Sequence, residues 1–187
     1  MLYCLCITYL LEVSRLITDR EDAVAKADKV IQRCGTRNPE RLAQELDIIV
    51  MPRPFRKQKG AYKVIERNRF IFIKEDLPPV MHDIVLLHEI GHDMLHRHEA
   101  VSAGGFQEFN IFDMSNRRME YEANIFAAQV SLPDEDVLEY IFQGYDVGQI
   151  ARAMGSDINL VALKVAELSR QGYAFRKQEF QGDFLKR

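Results

Sequence analysis

The stretch His88-Glu-Ile-Gly-His92 decides how this chain is interpreted, because two histidines four residues apart lie on one face of a helix. Their imidazoles can bind one Zn²⁺ together at about 2.0–2.1 Å. Glu89 follows the first histidine and is rotated off the ligand line, towards the water molecule that such a metal holds. From there its carboxylate can accept a proton and later return it to a leaving amine. The motif therefore predicts a zinc site with Glu89 as general base.

The residues around this motif predict a buried setting for it. All five histidines of the chain lie between His82 and His98, a clustering that packing alone does not explain. An overlapping pattern, His92-Asp-Met-Leu-His96, has the same spacing, but aspartate is shorter and reaches the water less easily, so the first pattern is favoured. The predicted metal helix runs from about Val80 to Arg97. Its core-facing side consists of Ile84, Leu87, Met94 and Leu95.

A catalytic zinc site needs a third protein ligand, and a second predicted helix, Arg117 to Val130, offers two carboxylates. Glu120 and Glu122 both lie in its first half, and Asn124 follows Glu120 by one turn. A ligand carboxylate with a polar residue one turn on is a sensible pair, since the second residue can hydrogen-bond a metal-binding histidine. Helical periodicity alone does not choose between the two glutamates.

The segment before the metal helix predicts a small sheet. A first strand is expected at Asp47–Val50, where Met51-Pro-Arg-Pro54 should end it, and residues 61–65 and 69–74 have the composition of a hairpin. Because 69–74 is nearly all apolar, it is predicted as the inner strand and 61–65 as the edge strand. An exposed edge can hold an extended peptide substrate through main-chain hydrogen bonds. Residues 99–116, with two adjacent glycines, predict an irregular connection that closes over the other side.

Helices are predicted on both sides of the sheet. Counted with the metal helix, they are expected at about 19–33, 38–46, 80–97, 117–130, 134–143, 146–154 and 157–170. The predicted fold is therefore α+β: a small antiparallel sheet packed on the metal-binding helix, with helical parts at both ends. We divide the chain into N-terminal helices (1–37), a metallopeptidase core (38–133) and a C-terminal helical module (134–187).

The chain resembles the ImmA/IrrE family of zinc metallopeptidases, which regulate mobile elements and stress responses by cleaving transcriptional repressors. The resemblance covers about residues 38–170 and rests on Lys59-Gly-Ala-Tyr62, the HExxH motif and Glu120-Tyr-Glu-Ala-Asn-Ile-Phe-Ala-Ala128. The family's second block reads Glu-x-x-Ala-(Asn/Ser)-x-Phe-Ala, and Ala123 with Phe126 sets its register here. The resemblance thus implies that Glu120 is the third ligand.

The resemblance also implies a zincin-like fold and a cytoplasmic endopeptidase of the gluzincin type. His88, His92 and Glu120 would hold Zn²⁺, Glu89 would be the catalytic base, and the expected protein substrate is a helix-turn-helix repressor. Neither a membrane nor a nucleic acid is an expected partner. Three side chains stay open as the stabiliser of the transition state: Tyr62, Tyr121 and His98.

The last two predicted helices resemble a helix-turn-helix, which keeps a DNA-binding regulator as an alternative. A DNA reader would carry basic side chains on the second of them. Here that helix offers two basic residues against two acidic ones, so packing or substrate docking is favoured. These residues are Lys164 and Arg170 against Asp157 and Glu167. A further alternative is a regulatory binding protein with a vestigial metal site, but such a protein has no need of Glu89.

Composition limits the remaining classes of function. The 187 residues are 47% hydrophobic and 28% charged, with a net charge of −3 that gives no general attraction to nucleic acid or anionic lipid. Cys4, Cys6 and Cys34 form an odd set without a CxxC pattern, which suits a reducing cytosol. The apolar start, Met1–Leu11, is too short to span a bilayer and lacks a basic flank, so a buried first helix is favoured over a membrane-facing segment.

Overall fold

A computed structural model describes residues 23–103 and 117–175. The described residues form the α+β fold that the sequence predicts, with a three-stranded sheet among helices. The elements are α1 (23–34), α2 (Pro39–Glu45), β1 (Ile48–Arg53), β2 (Gly60–Ile65), β3 (Asn68–Lys74), α3 (Pro79–Ala103), α4 (Arg117–Ser131), α5 (Asp134–Phe142), α6 (Val147–Ala153) and α7 (Ile158–Arg170). The apolar start, with Cys4 and Cys6, lies outside these residues.

The sheet has the order β1-β3-β2, which confirms the predicted hairpin with β3 inside and β2 at an edge. The prediction of an antiparallel sheet is wrong, because β1 pairs with β3 in parallel. β2 lies on one side of β3 and β1 on the other, so the connection 54–59 crosses the end of β3 to join them. β1 therefore runs antiparallel to β2 and parallel to β3. β1 also continues to Arg53, beyond the predicted end, since an edge strand tolerates the missing N–H of Pro52.

The metal helix begins at Pro79, close to the predicted start, and runs six residues past the predicted end to Ala103. Its backbone kinks at His96, where φ is −127° and ψ is 22°. Residues 99–103, predicted as irregular, are helical because the first helix-breaking residue after the histidines is Gly104. The rest of the predicted connection, 104–116, lies outside the described residues.

The core is built on α3, which packs against α4 on one side and the sheet on the other. Gly91 permits a close approach of α4, since a methyl group at this position would lie 3.1 Å from the Cα of Ala123. One buried apolar cluster extends from Ala27 in α1 to Leu168 in α7. The C-terminal helices therefore share their core with the rest of the described chain, and the three-part division stays a prediction. Within residues 23–103 and 117–175, no helix is both long and apolar enough to span a membrane.

The C-terminal helices α5, α6 and α7 lie where the sequence predicts them. Asp146 caps α6 by accepting a hydrogen bond from the Gln149 amide at 2.7 Å. The two basic side chains that a DNA reader would need are engaged within the protein. Lys164 is 1% exposed and pairs with Asp134, and Arg170 binds Glu167 and the Tyr121 hydroxyl.

Candidate metal centre

Two turns of α3 and the first half of α4 bring together three buried side chains, His88, His92 and Glu120. The Nε2 atoms of the two histidines are 3.1 Å apart. The carboxylate oxygens of Glu120 lie 3.2 Å from Nε2 of His88 and 3.5 Å from Nε2 of His92. Ligands at about 2.05 Å around a tetrahedral ion are themselves about 3.3 Å apart. The three donors are therefore spaced, and chemically suited, to hold one metal ion such as zinc.

The outer ring nitrogen of His88 is held by α4. Its Nδ1 lies 2.9 Å from Oδ1 of Asn124, which is the contact that the one-turn spacing from Glu120 predicts. An amide oxygen can only accept a hydrogen bond, so the proton of His88 lies on Nδ1. The lone pair of its Nε2 then faces His92 and Glu120. Burial, opposed by a hydrogen bond with Glu120, lowers the pKa of His92 to about 4. The His92 imidazole is thus neutral near pH 7, as metal binding requires.

Glu89, which follows the ligand candidate His88 on α3, is buried and lies against the first residue of β2. A methyl group at Gly60 would come within 2.4 Å of Oε1 of Glu89 and 2.7 Å of Cγ1 of Val85. Only glycine lets the strand lie this close to the carboxylate. The sequence singled out Gly60 as part of a family block, but nothing in its pattern indicates this contact, which depends on how β2 crosses α3.

The structure separates the two glutamates that periodicity leaves open. Glu120 contacts both histidines of the motif, whereas Oε2 of Glu122 lies 2.7 Å from Nε2 of His96. The other oxygen of Glu122 accepts a hydrogen bond from Nε of Arg118 at 2.8 Å. Burial would raise the pKa of Glu122, but the hydrogen bonds from His96 and Arg118 outweigh it and hold the pKa below its ordinary value.

Asp93, the acidic residue of the overlapping HDxxH pattern, is engaged on the sheet side of α3. Oδ1 of Asp93 accepts from the Tyr62 hydroxyl at 2.6 Å, and Oδ2 accepts from Arg69 at 2.9 Å. Arg97 forms two further hydrogen bonds to the same carboxylate. Asp93 thus ties β2 and β3 to the metal helix, which is a structural role and not that of a base.

The three side chains considered for the transition state lie in different surroundings. Tyr62 is buried, and burial together with the hydrogen bond to Asp93 raises the pKa of its hydroxyl. The Tyr121 hydroxyl accepts from Arg170 at 2.7 Å. His98 is exposed on the last turns of α3. The assignment of this role among the three stays a prediction.

Two comparisons with known proteins found sequences similar to this chain. A family model described as the IrrE N-terminal-like domain, Peptidase M78, matches residues 43–165. The matched range includes the sheet, the three donors and most of the C-terminal helices. "Uncharacterized immunity region protein 2" of Bacillus phage phi105 is 31% identical over 141 residues, which is 75% of this chain and 87% of that protein.

Proposed function

Because the chain belongs to the Peptidase M78 family, whose model is the IrrE N-terminal-like domain, we propose that it is a zinc-dependent endopeptidase. The family indicates a metallopeptidase. The observation that carries the finer proposal is the spacing of 3.1, 3.2 and 3.5 Å among the donors of His88, His92 and Glu120. Two imidazoles and one carboxylate are a common ligand set of catalytic zinc.

In this proposal Glu89 is the catalytic base. Zinc, when bound, lowers the pKa of water at the site towards about 7 and polarises the scissile carbonyl. The Glu89 carboxylate accepts the proton of the attacking water and then delivers it to the leaving amine. Its burial under Gly60 keeps it in one place and limits competing solvent.

The edge strand β2 is the proposed platform for the substrate. Lys74 N donates to Lys59 O, and the register continues this pairing through Ala61, Lys63 and Ile65. Hydrogen-bonded and non-hydrogen-bonded pairs alternate in an antiparallel ladder. The main-chain groups of Gly60, Tyr62 and Val64 therefore point away from β3. An extended peptide paired with them would pass close to Glu89, whose carboxylate lies where a side chain at Gly60 would begin.

A transcriptional repressor is the proposed substrate. The support is the phage relative, which is described as an immunity region protein, together with the family named IrrE N-terminal-like. An edge strand recognises main chain more than side chains, so specificity for one repressor must come from other surfaces. The expected partner is a helix-turn-helix protein encoded beside this chain's gene.

The test is metal analysis of the purified protein together with cleavage of that repressor. The wild-type chain should hold one zinc and cut the repressor. Glu89→Gln should keep the zinc and slow cleavage by about 10²–10⁴-fold or more, since glutamine has nearly the same shape but cannot accept the proton. Glu75→Gln, an exposed glutamate ahead of α3, is the matched control and should cleave normally. Equal cleavage by the Glu89 variant would refute the mechanism, and repressor binding without cleavage would favour a regulatory binder.

A further inference from the structure

A chain of polar contacts leads from His92 away from the metal group. Nδ1 of His92 lies 3.2 Å from Nδ1 of His96, and Nε2 of His96 lies 2.7 Å from Oε2 of Glu122. Nε of Arg118 donates to the second oxygen of Glu122 at 2.8 Å. His96 and Glu122 are buried, whereas the Arg118 side chain is 55% exposed. The chain thus runs from the metal group to the protein surface.

The donors and acceptors along this chain fit one another. Nε2 of His92 faces the other two donors of the metal group, so its lone pair lies there and its proton lies on Nδ1. That N–H then donates to Nδ1 of His96, whose own proton must lie on Nε2. The Nε2–H of His96 donates to the Glu122 carboxylate, which can only accept, and the guanidinium of Arg118 can only donate. Each contact therefore has one donor and one acceptor.

We propose that His96, Glu122 and Arg118 form a positioning chain that fixes the tautomer and ring orientation of His92 and thereby strengthens metal binding. This inference rests on the proposed metal centre. A carboxylate acting on the outer nitrogen of a metal-binding histidine orients the ring and raises its basicity. Here a second imidazole stands between the carboxylate and the ligand. His96 and Glu122 are positioning residues, since both act through His92.

The backbone supports this role for His96. It is the one non-helical residue inside α3, at the kink with φ −127° and ψ 22°. From this position the imidazole of His96 reaches His92 on its own helix and Glu122 on α4. The planes of the His92 and His96 rings are inclined by 54°. Arg118 lies four residues before Glu122 and forms an ion pair with it along α4. Glu120 and Glu122 therefore serve the same centre from different distances.

The two histidines of the motif are consequently held in different ways. His88 meets the neutral amide of Asn124, whereas His92 meets a chain that ends in a carboxylate and a guanidinium. Hydrogen bonds to charged groups are stronger than those between neutral groups. We therefore expect His92 to depend more on its outer partners than His88 does.

The zinc dissociation constant, measured by competition with a chromogenic chelator, tests the proposal. His96→Phe fills the space but removes both hydrogen bonds, and it should weaken zinc binding by about 10–100-fold. His96→Asn keeps an acceptor near the position of Nδ1 and should recover part of this loss. His82→Phe changes another histidine of α3 that is not part of the positioning chain, and this variant should bind zinc like the wild type.

A second variant and a spectrum keep the test decisive if His96→Phe folds poorly. Glu122→Gln has nearly the same shape and should weaken zinc binding by about tenfold. Long-range ¹H–¹⁵N spectra of the zinc-loaded wild type should show protons on Nδ1 of His92 and on Nε2 of His96. A folded His96→Phe variant with wild-type zinc affinity, or a His96 proton on Nδ1, would overturn the positioning chain and leave the proposed function intact. A wild type that binds no zinc would instead remove the metal centre and this inference together.

Discussion

Two buried polar clusters lie at opposite ends of α4, and they differ in what they hold together. In the first half of the helix, Glu120 and Asn124 meet the histidines of α3. In the second half, Gln129 meets Lys164 of α7 and Asp28 of α1. The first cluster joins residues of two adjacent helices around three metal-binding donors that face one another. The second cluster joins the N-terminal and C-terminal helices through side chains that satisfy one another.

The second cluster has the features of a structural joint. Gln129 accepts from Lys164 and donates to Asp28 at 2.9 Å, while Lys164 also pairs with Asp134 at the start of α5. Arg37 donates to the carbonyl oxygens of Gln129 and Val130 at 2.8 and 3.0 Å, which satisfies groups that the end of a helix leaves open. Burial lowers the pKa of Lys164 against the opposing effect of Asp134.

The difference teaches that burial of polar side chains does not by itself indicate a reactive site. In the metal cluster, three donors of matching chemistry point at one common position. In the Lys164 cluster the side chains pair with one another, Lys164 with Gln129 and Asp134 and Gln129 with Asp28, so no ligand is needed to complete it. The comparison predicts that variants of the first cluster change metal binding and cleavage, and that variants of the second change only the free energy of unfolding.

The largest expected effect separates the two glutamates of α4. Glu120→Ala removes one of three ligands and should abolish stoichiometric zinc binding and reduce cleavage to background. Glu122→Ala should still retain one zinc at micromolar protein, although more weakly, because its carboxylate lies behind His96. The zinc content of each variant after gel filtration, together with its cleavage of the repressor, tests this prediction. If the outcomes were exchanged, Glu122 would be the ligand and the register of the family block would be wrong.

A smaller loss of cleavage is expected from Gly60→Ala, which places a methyl group between β2 and Glu89. The new methyl group would lie 2.4 Å from Oε1 of Glu89, so the carboxylate or the strand must move. Displacement of a catalytic group by about 1 Å can reduce the rate by about 100-fold. Zinc content should not change, since the atoms nearest to the added group belong to Glu89 and Val85 and not to the three ligands. Loss of zinc along with activity would show that β2 supports the ligands and not only the base.

The second cluster should respond in stability alone. Lys164→Met keeps the length of the side chain but leaves Oε1 of Gln129 without its donor. One buried unsatisfied acceptor costs about 1–3 kcal/mol, so urea unfolding should show a loss of about 2 kcal/mol. Lys29→Met on the exposed side of α1 should stay within about 0.5 kcal/mol of the wild type. An equal fall in zinc affinity for Lys164→Met would mean that α4 couples the two clusters.

The sequence predicts the metal cluster better than the Lys164 cluster because its spacing is local. His88 and His92 are four residues apart on one helix, whereas Gln129 and Asp28 are 101 residues apart. From composition alone, Lys164 is predicted to be a basic side chain available to a partner. Its buried position is visible in the helical period of Leu160, Val161 and Leu168, which places residue 164 on the core side.

The direction of β1 and the choice of the third ligand also depend on residues that are far apart in the sequence. The composition of β1, β2 and β3 indicates strands, but strand direction depends on which edge of β3 is still open, and this is a property of the whole chain. The choice between Glu120 and Glu122 likewise needs the crossing of α3 over α4, which Gly91 and Ala123 set. The family block supplied Glu120 where periodicity could not.

The smallest expected effect tests whether the edge of β2 belongs with the chemistry or only with the architecture. The N–H of Val64 points away from β3, so Val64→Pro removes one main-chain donor from the proposed platform. One hydrogen bond contributes about 0.5–1.5 kcal/mol, which corresponds to a loss of about two- to thirteenfold in kcat/KM. The N–H of Lys63 faces Phe70 instead, so Lys63→Pro breaks the ladder and should reduce stability. Because Val64→Pro leaves the pairing with β3 in place, its zinc content should match the wild type while cleavage falls. Equal loss of zinc and cleavage in both variants would show that the hairpin only covers α3 and that the peptide binds elsewhere.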